Sequence, residues 1–171
     1  MRKLTFVALD FETADYYRDS ACAVGVVKVK GTRLIHEEVR LIRPPRKSFR
    51  FSYLHGITWA DVEDQPVFRN AWLALRPVFE DVDFLAAHNA SFDRSVLNTC
   101  CELARIRPPD QDIICTRQLA RRVWGIYPTN LPAVCSSLDL PLDHHDPLSD
   151  ARACALVIIR ALKEGATIDY E

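Results

Sequence analysis

The chain has 171 residues, 49% of them hydrophobic, with 22 basic and 23 acidic side chains and a formal net charge of -1. That length and apolar content suit one domain, residues 1–171, with a substantial core, and do not suggest two. The balanced charge excludes a chain drawn as a whole to polyanions, so any nucleic-acid contact has to be local.

The first element is Leu4 to Thr13, an apolar run that ends in Asp10, Phe11 and Glu12. Its composition predicts a strand covered on both faces, as in the middle of an α/β sheet. Side chains alternate along a strand, so Asp10 and Glu12 point the same way with Cα atoms roughly 6.6 Å apart. Two such acids repel unless a cation lies between them. Ligands of open α/β sheets bind beyond the carboxyl ends of the strands, which is where these acids fall. Cys22 to Val29 and Leu34 to Ile42 read as two further strands joined by a hairpin at Gly31-Thr32. Arg43-Pro44-Pro45-Arg46-Lys47 closes that half of the sheet.

From Pro66 the texture changes: Val67, Phe68, Ala71, Trp72, Leu75, Val78 and Phe79 recur at helical spacing and lead to a fourth strand, Phe84 to Ala87. A helix is expected over Ser91 to Arg105 and a short fifth strand over Ile113 to Cys115. Further helices are expected near Thr116 to Val123, Leu131 to Leu138 and Pro147 to Lys163. The whole predicts an α/β fold with a five-stranded mixed sheet flanked by helices.

Six cysteines occur without any C-x-x-C pair, mostly in apolar contexts, which fits reduced, buried thiols better than structural zinc. The apolar run near the start is too short for a signal-peptide core, and no segment reaches membrane-spanning length. A cytoplasmic protein without a membrane partner is the expectation.

Three constellations carry chemistry. Asp10-Phe11-Glu12 is weak by itself, since such a pair also occurs where a strand emerges into solvent. His88-Asn89-Ala90-Ser91-Phe92-Asp93 follows the fourth strand directly; Asn89 or Ser91 could cap the next helix, with Asp93 in its first turn near the positive helix end. His144-His145-Asp146-Pro147-Leu148-Ser149-Asp150 opens the last helix, with Asp146 as N-cap, Pro147 at the first helical position and Asp150 near the first turn. His145 is then left in the lead-in loop as a comparatively free base. Jointly, Asp10, Glu12, Asp93 and Asp150 come from one strand tip and two helix starts of one sheet. Hard carboxylate oxygens suit Mg²⁺ or Mn²⁺, and a two-metal site would hold the ions roughly 3.5–4 Å apart for in-line displacement at phosphorus. His145, with a pKa near neutrality, suits the role of general base.

With these motifs the sequence resembles the DEDDh 3′-to-5′ exonucleases, the group that includes the proofreading epsilon subunit of bacterial DNA polymerase III, ribonuclease T and oligoribonuclease. The resemblance covers almost the whole chain: Asp10 and Glu12 match the first motif, Asp93 the second, and His145 and Asp150 the third, H-x4-D. It implies a ribonuclease H-like fold, two divalent ions held by the four acids and His145 as base. His55-Gly56-Ile57-Thr58 resembles the family's H-G-I-T element beside the terminal nucleotide, and by the same resemblance Phe11, Thr13, Asn89 and Phe92 border that nucleotide. An aromatic face there stacks on any base without reading it. Ala14-Asp15 stands where many relatives carry Thr-Gly, and Pro147 replaces a commoner Ala; neither change removes a ligand.

The expected activity is release of nucleoside monophosphates from single-stranded 3′ ends, DNA favoured. The alternatives are RNA trimming of the oligoribonuclease type and a non-catalytic nucleic-acid-binding or polymerase-associated module. Arg43, Arg46, Lys47 and Arg50 with Phe49, Phe51 and Tyr53 read equally as a phosphate-and-base grip or a solvated loop, whereas Arg117, Arg121 and Arg122 read as a solvated helix face. Because the chain stops at Glu171, shortly after the last helix, a free-standing enzyme is expected rather than a proofreading subunit.

Overall fold

The computed structural model describes residues 3–170. The chain end at Glu171, on which the expectation of a free-standing enzyme rests, lies outside the described residues. Five strands form one sheet in the order β3-β2-β1-β4-β5. They are β1 Thr5–Thr13, β2 Ala21–Lys30, β3 Arg33–Leu41, β4 Phe84–Ala87 and β5 Ile113–Cys115. β1, β2 and β3 pair antiparallel, and β1, β4 and β5 pair parallel, so the sheet is mixed as the sequence predicts. Gly31, at φ 64°, is one of the two residues that turn β2 into β3.

Among the described residues seven α-helices connect or cover these strands: α1 Ser52–His55, α2 Trp59–Val62, α3 Phe68–Leu75, α4 Ala90–Leu103, α5 Thr116–Trp124, α6 Leu131–Leu138 and α7 Pro147–Lys163. The helix expected up to Phe79 is shorter: α3 ends at Leu75 and Arg76–Phe79 forms a 3₁₀ turn. Pro77 explains the break, because it has no N–H to give to an α-helical ladder. α1 and α2 are single turns that hydrophobic periodicity does not reveal.

Alternation along β1 sorts its side chains into two cores. Val7, Leu9 and Phe11 pack with Trp72 and Leu75 of α3 and with Val96 and Leu97 of α4. Phe6 and Ala8 pack with Ala151, Ala155 and Ile158 of α7 and Leu119 of α5. Each fully buried Val, Leu, Ile or Phe contributes about 1.5–3 kcal/mol, so both faces are firmly clamped. Asp10 and Glu12, in phase with Phe6 and Ala8, therefore stand on the α7 side at the strand's carboxyl end.

Asp10 is paired in register with Gly25 of β2. A Cβ on Gly25 would lie 2.0 Å from the carbonyl oxygen of Pro147 and 2.8 Å from the backbone nitrogen of Leu148. The missing side chain is thus what lets the first turn of α7 rest on the sheet beside Asp10. All six cysteines are unpaired. Among the described residues no helix is long and apolar enough to cross a membrane. Gly25→Ala forces backbone against backbone, an overpacking that costs about 1–3 kcal/mol, and should lower the melting temperature by roughly 2–12 °C. Circular dichroism melts of the two proteins check this.

Candidate active site

The carboxyl end of β1 and the start of α7 bring one carboxylate oxygen each from Asp10, Glu12 and Asp150 within 4.8 Å of one another. Asp146 caps α7 by accepting the Ser149 N–H at 2.7 Å, and Pro147 sits in the first turn, as expected. This fixes Asp150, whose Oδ2 accepts the His145 backbone N–H at 3.2 Å.

Asp93 arrives differently. β1 outruns β4, the last registered pair being Ala8 with Ala86. The Phe11 N–H is left to donate to Asp93 Oδ1 at 3.0 Å. Asp93 therefore reaches the site from the α4 side by binding β1 main chain, and it stands outside the group formed by the other three acids. Asn89 occupies the N-cap position of α4 at φ 69°, with no side-chain cap bond.

Burial and mutual repulsion dominate the electrostatics. The Asp10 carboxyl is pushed well above the usual carboxylate range by burial, then by Asp93, Glu12 and Asp150. Glu12 rises to about 8 through burial and then the charges of Asp150 and Asp93. Asp93 is raised by burial, against the opposing bond from Phe11. Asp150 rises to about 6, again by burial, with the His145 N–H opposing. Asp10 Oδ2 is buried and has no hydrogen-bond partner among the described residues. A buried lone carboxylate oxygen surrounded by like charge fits a divalent cation, and an all-oxygen donor set suits a hard one.

His144 is a residue that the sequence reading passed over. Its Nδ1 lies 3.1 Å from Asp150 Oδ2 and its ring stacks on His145 with centroids 3.7 Å apart. The H-x4-D spacing singles out His145, and only the doublet itself hinted at its neighbour. Burial and then repulsion from His144 lower the basicity of His145, with Asp150 opposing, so His145 is a neutral proton acceptor at neutral pH. His145 also lies close enough to His55 to lower its pKa, after burial.

Several expected substrate contacts need correction or relocation. Phe11 is 3% exposed and stacks on Trp72 with centroids 6.2 Å apart. The alternation that aims Asp10 and Glu12 together turns Phe11 away, so its ring has no face to offer a base. Thr13 is buried, and its carbonyl lies 3.0 Å from His55 Nε2. His55 Nδ1 accepts the Ile57 N–H at 3.0 Å, so both ring nitrogens are committed to main chain. His55 thus ties the turn carrying Ile57 to the end of β1. Phe92 is half-buried beneath the Arg18 guanidinium, 4.7 Å from its ring. Arg46, expected in a possible phosphate grip, is committed elsewhere: its Nε bonds Asp15 Oδ2 at 3.0 Å and its Nη1 bonds Asp19 Oδ2 at 2.9 Å.

Comparisons with known proteins bear on the family and the fold. A family model described as Exonuclease, of the RNase T group, matches residues 7–158. The chain is 32% identical over 160 residues to a PolC-type DNA polymerase III of Thermotoga maritima, covering 91% of this chain and 12% of the polymerase. It is 32% identical over 146 residues to exodeoxyribonuclease 10 of Escherichia coli, covering 80% of this chain and 59% of that enzyme. This chain thus spans about an eighth of the first relative and less than two thirds of the second. Exonuclease X, solved with 5′-overhanging duplex DNA, superposes with a TM-score of 0.73 at 26% identity, covering 95% of this chain and 94% of that one. The nuclease domain of 3′hExo, a DEDDh family member solved with rAMP, superposes with a TM-score of 0.82 at 19% identity over 99% and 96% of the two chains, which bears on the fold alone. The chain belongs to this exonuclease family, whose model covers most of its length, and its fold is the ribonuclease H-like fold of the DEDDh nuclease domain.

The raised acids have a stability consequence. Glu12 goes from 4.5 to about 8 on folding, so the folded state keeps a proton that the unfolded state releases. Stability of the metal-free protein therefore falls as pH rises between those values. Glu12→Gln removes the burden and should melt higher than the parent protein near pH 8, by roughly 2–4 °C for each kcal/mol relieved. The difference should vanish towards pH 4.5, the ordinary value for this carboxyl. Scanning fluorimetry in chelator reads both ends; a variant less stable at the higher pH contradicts the electrostatic account.

Proposed function

We propose that residues 1–171 act as one exonuclease domain that removes nucleoside monophosphates from single-stranded 3′ ends, with DNA preferred. The observation that carries this reading is the convergence of Asp10, Glu12 and Asp150, with Asp10 Oδ2 buried and unpartnered among the described residues and Asp93 against the same strand end. Asp10, Glu12, Asp93 and Asp150 are the proposed holders of two divalent cations, Mg²⁺ or Mn²⁺. Bound there, the cations supply water activation and charge stabilisation at the phosphorus.

The chain's own residues supply the rest. His145, kept neutral by burial and by His144, takes the proton from the attacking water. Asp150 steadies the loop of His145 through its backbone N–H. The turn held by His55, with Ile57, and the Asn89 to Phe92 segment are the proposed walls for the terminal nucleotide. Support for DNA comes from the exodeoxyribonuclease relative and from the overhanging DNA bound by the exonuclease X neighbour. Similarity to PolC-type polymerases favours a second reading, in which this domain serves a DNA polymerase. Co-elution with a polymerase from the native source distinguishes the two.

The test is a 5′-labelled DNA oligonucleotide incubated with Mg²⁺ or Mn²⁺, which should give a ladder shortening from the 3′ end with release of monophosphates. Chelation should abolish it, and the RNA equivalent should be cut more slowly. His145→Ala should slow turnover by roughly 10²- to 10⁴-fold, the range for removing a general base. Folded protein that leaves the 3′ end intact with both ions refutes the reading.

A further inference from the structure

The arginines of α5 look equivalent in sequence, yet the fold separates them. Arg122 is spent near the end of the chain, bonding Asp169 Oδ2 at 2.8 Å and the Thr167 carbonyl at 2.9 Å. Arg117 instead lines a cavity of about 410 Å³ whose other lining includes Asp10, Asp150 and Asn89. Arg117 is the one arginine or lysine among the described residues lining this cavity with the acids. Arg117 Nε donates to Thr129 Oγ1 at 3.1 Å, and no ion pair among the described residues includes its guanidinium.

The wall that carries it is braced. His88 Nε2 lies 2.8 Å from the Thr129 carbonyl and Nδ1 lies 3.0 Å from Thr116 Oγ1. One imidazole therefore ties the end of β4, the start of α5 and the loop before α6 together. Its basicity is lowered by burial first, so it remains neutral with Nε2–H donating to that carbonyl and Nδ1 accepting the hydroxyl. Tyr127, 83% exposed, stands on the same lining. With Nε fixed and no hydrogen bond to its terminal nitrogens among the described residues, the exposed Arg117 keeps a planar fork available, the donor geometry that matches a phosphate.

A strand whose scissile phosphodiester rests at the acids has its next phosphate a nucleotide away, and the cavity provides a passage from the acids to a free guanidinium. We propose that Arg117 holds the phosphate of the nucleotide on the 5′ side of the scissile bond, in the cavity between the acids and the loop joining α5 to α6. This rests on the exonuclease reading and adds to it a site for the strand that stays behind. Grip on the retained strand then depends on there being a phosphate beyond the one that is cut.

The dinucleotides TpT and pTpT share one scissile bond and differ by that single upstream phosphate. The parent protein should show a higher kcat/KM on pTpT than on TpT, and Arg117→Ala should collapse the ratio to about one. A charge-assisted hydrogen bond supports a ratio of roughly 10-fold or more. Arg117→Lys keeps the charge without the fork and should retain an intermediate ratio; its melting temperature checks that the variants fold. Separately, anisotropy of labelled single-stranded DNA in chelator should show a salt slope shallower by about 0.7 in Arg117→Ala, the change for one phosphate contact on a single strand. A ratio of one in the parent protein, or a ratio and slope unchanged in Arg117→Ala, overturns the proposal. If the parent protein leaves the longer labelled oligonucleotide intact with both ions, the exonuclease reading fails; in that case, or if only the dinucleotides resist cutting, the salt slope alone decides for or against Arg117.

Discussion

The site depends on a contact that involves no charge at all. Gly25 stands opposite Asp10 on β2, and the carbonyl of Pro147 occupies the space that any side chain at Gly25 would take. Helix packing against a sheet ordinarily keeps the two main chains apart by the thickness of side chains. Here that spacing is removed at one point, and the first turn of α7 drops onto the strand pair. Asp150 lies in that turn, so its carboxylate comes within reach of Asp10 and Glu12. The rest of α7 then packs by Ala151, Ala155 and Ile158, which are buried and hold the close approach along the length of the helix.

What this contact assembles is unfavourable taken alone. Three carboxylates lie within 4.8 Å of one another and Asp93 adds a fourth nearby. Their pKa values rise because the folded protein prefers them neutral, and the fold retains them because two apolar cores clamp the sheet on either face. The His144 ring lies against this group, with Nδ1 3.1 Å from Asp150 Oδ2. Stability and function pull in opposite directions at these positions, which is the usual sign that a charged partner is meant to complete the arrangement. The same burial that raises the acids lowers His145, so one environment prepares both the ligand set and the base.

Much of this was legible in the sequence because it rests on local rules. Apolar runs gave the strands, and Asp146-Pro147 gave the start of α7 that carries Asp150. The strand alternation that joined Asp10 to Glu12 also fixed Phe11, and the resemblance to a family drew it towards the nucleotide against that alternation; the structure sides with the alternation. Other features were out of reach because their cause lies far along the chain. Nothing near Gly25 announces Pro147, and nothing near Arg46 announces that Asp15 and Asp19 will occupy it. Arg117 and Arg122 differ only through what the tertiary structure sets opposite each of them.

The places where the sheet is irregular are also where the site is attached. β1 continues past the end of its pairing with β4, which strands the Phe11 N–H, and Asp93 accepts it. The register of β1 against β2 shifts between Glu12 and Thr13, and the Thr13 carbonyl next to that shift is the one that meets His55. A buried backbone group without a strand partner has to be satisfied by something, so each irregularity forces a side chain to come to the strand end. One brings an acid from α4 and the other brings the turn that carries Ile57. A perfectly regular sheet would have needed neither, and its strand tip would have drawn in neither Asp93 nor His55. The imperfect pairing of β1 is therefore part of how two acids on one strand become the centre of a site built from both layers of the fold.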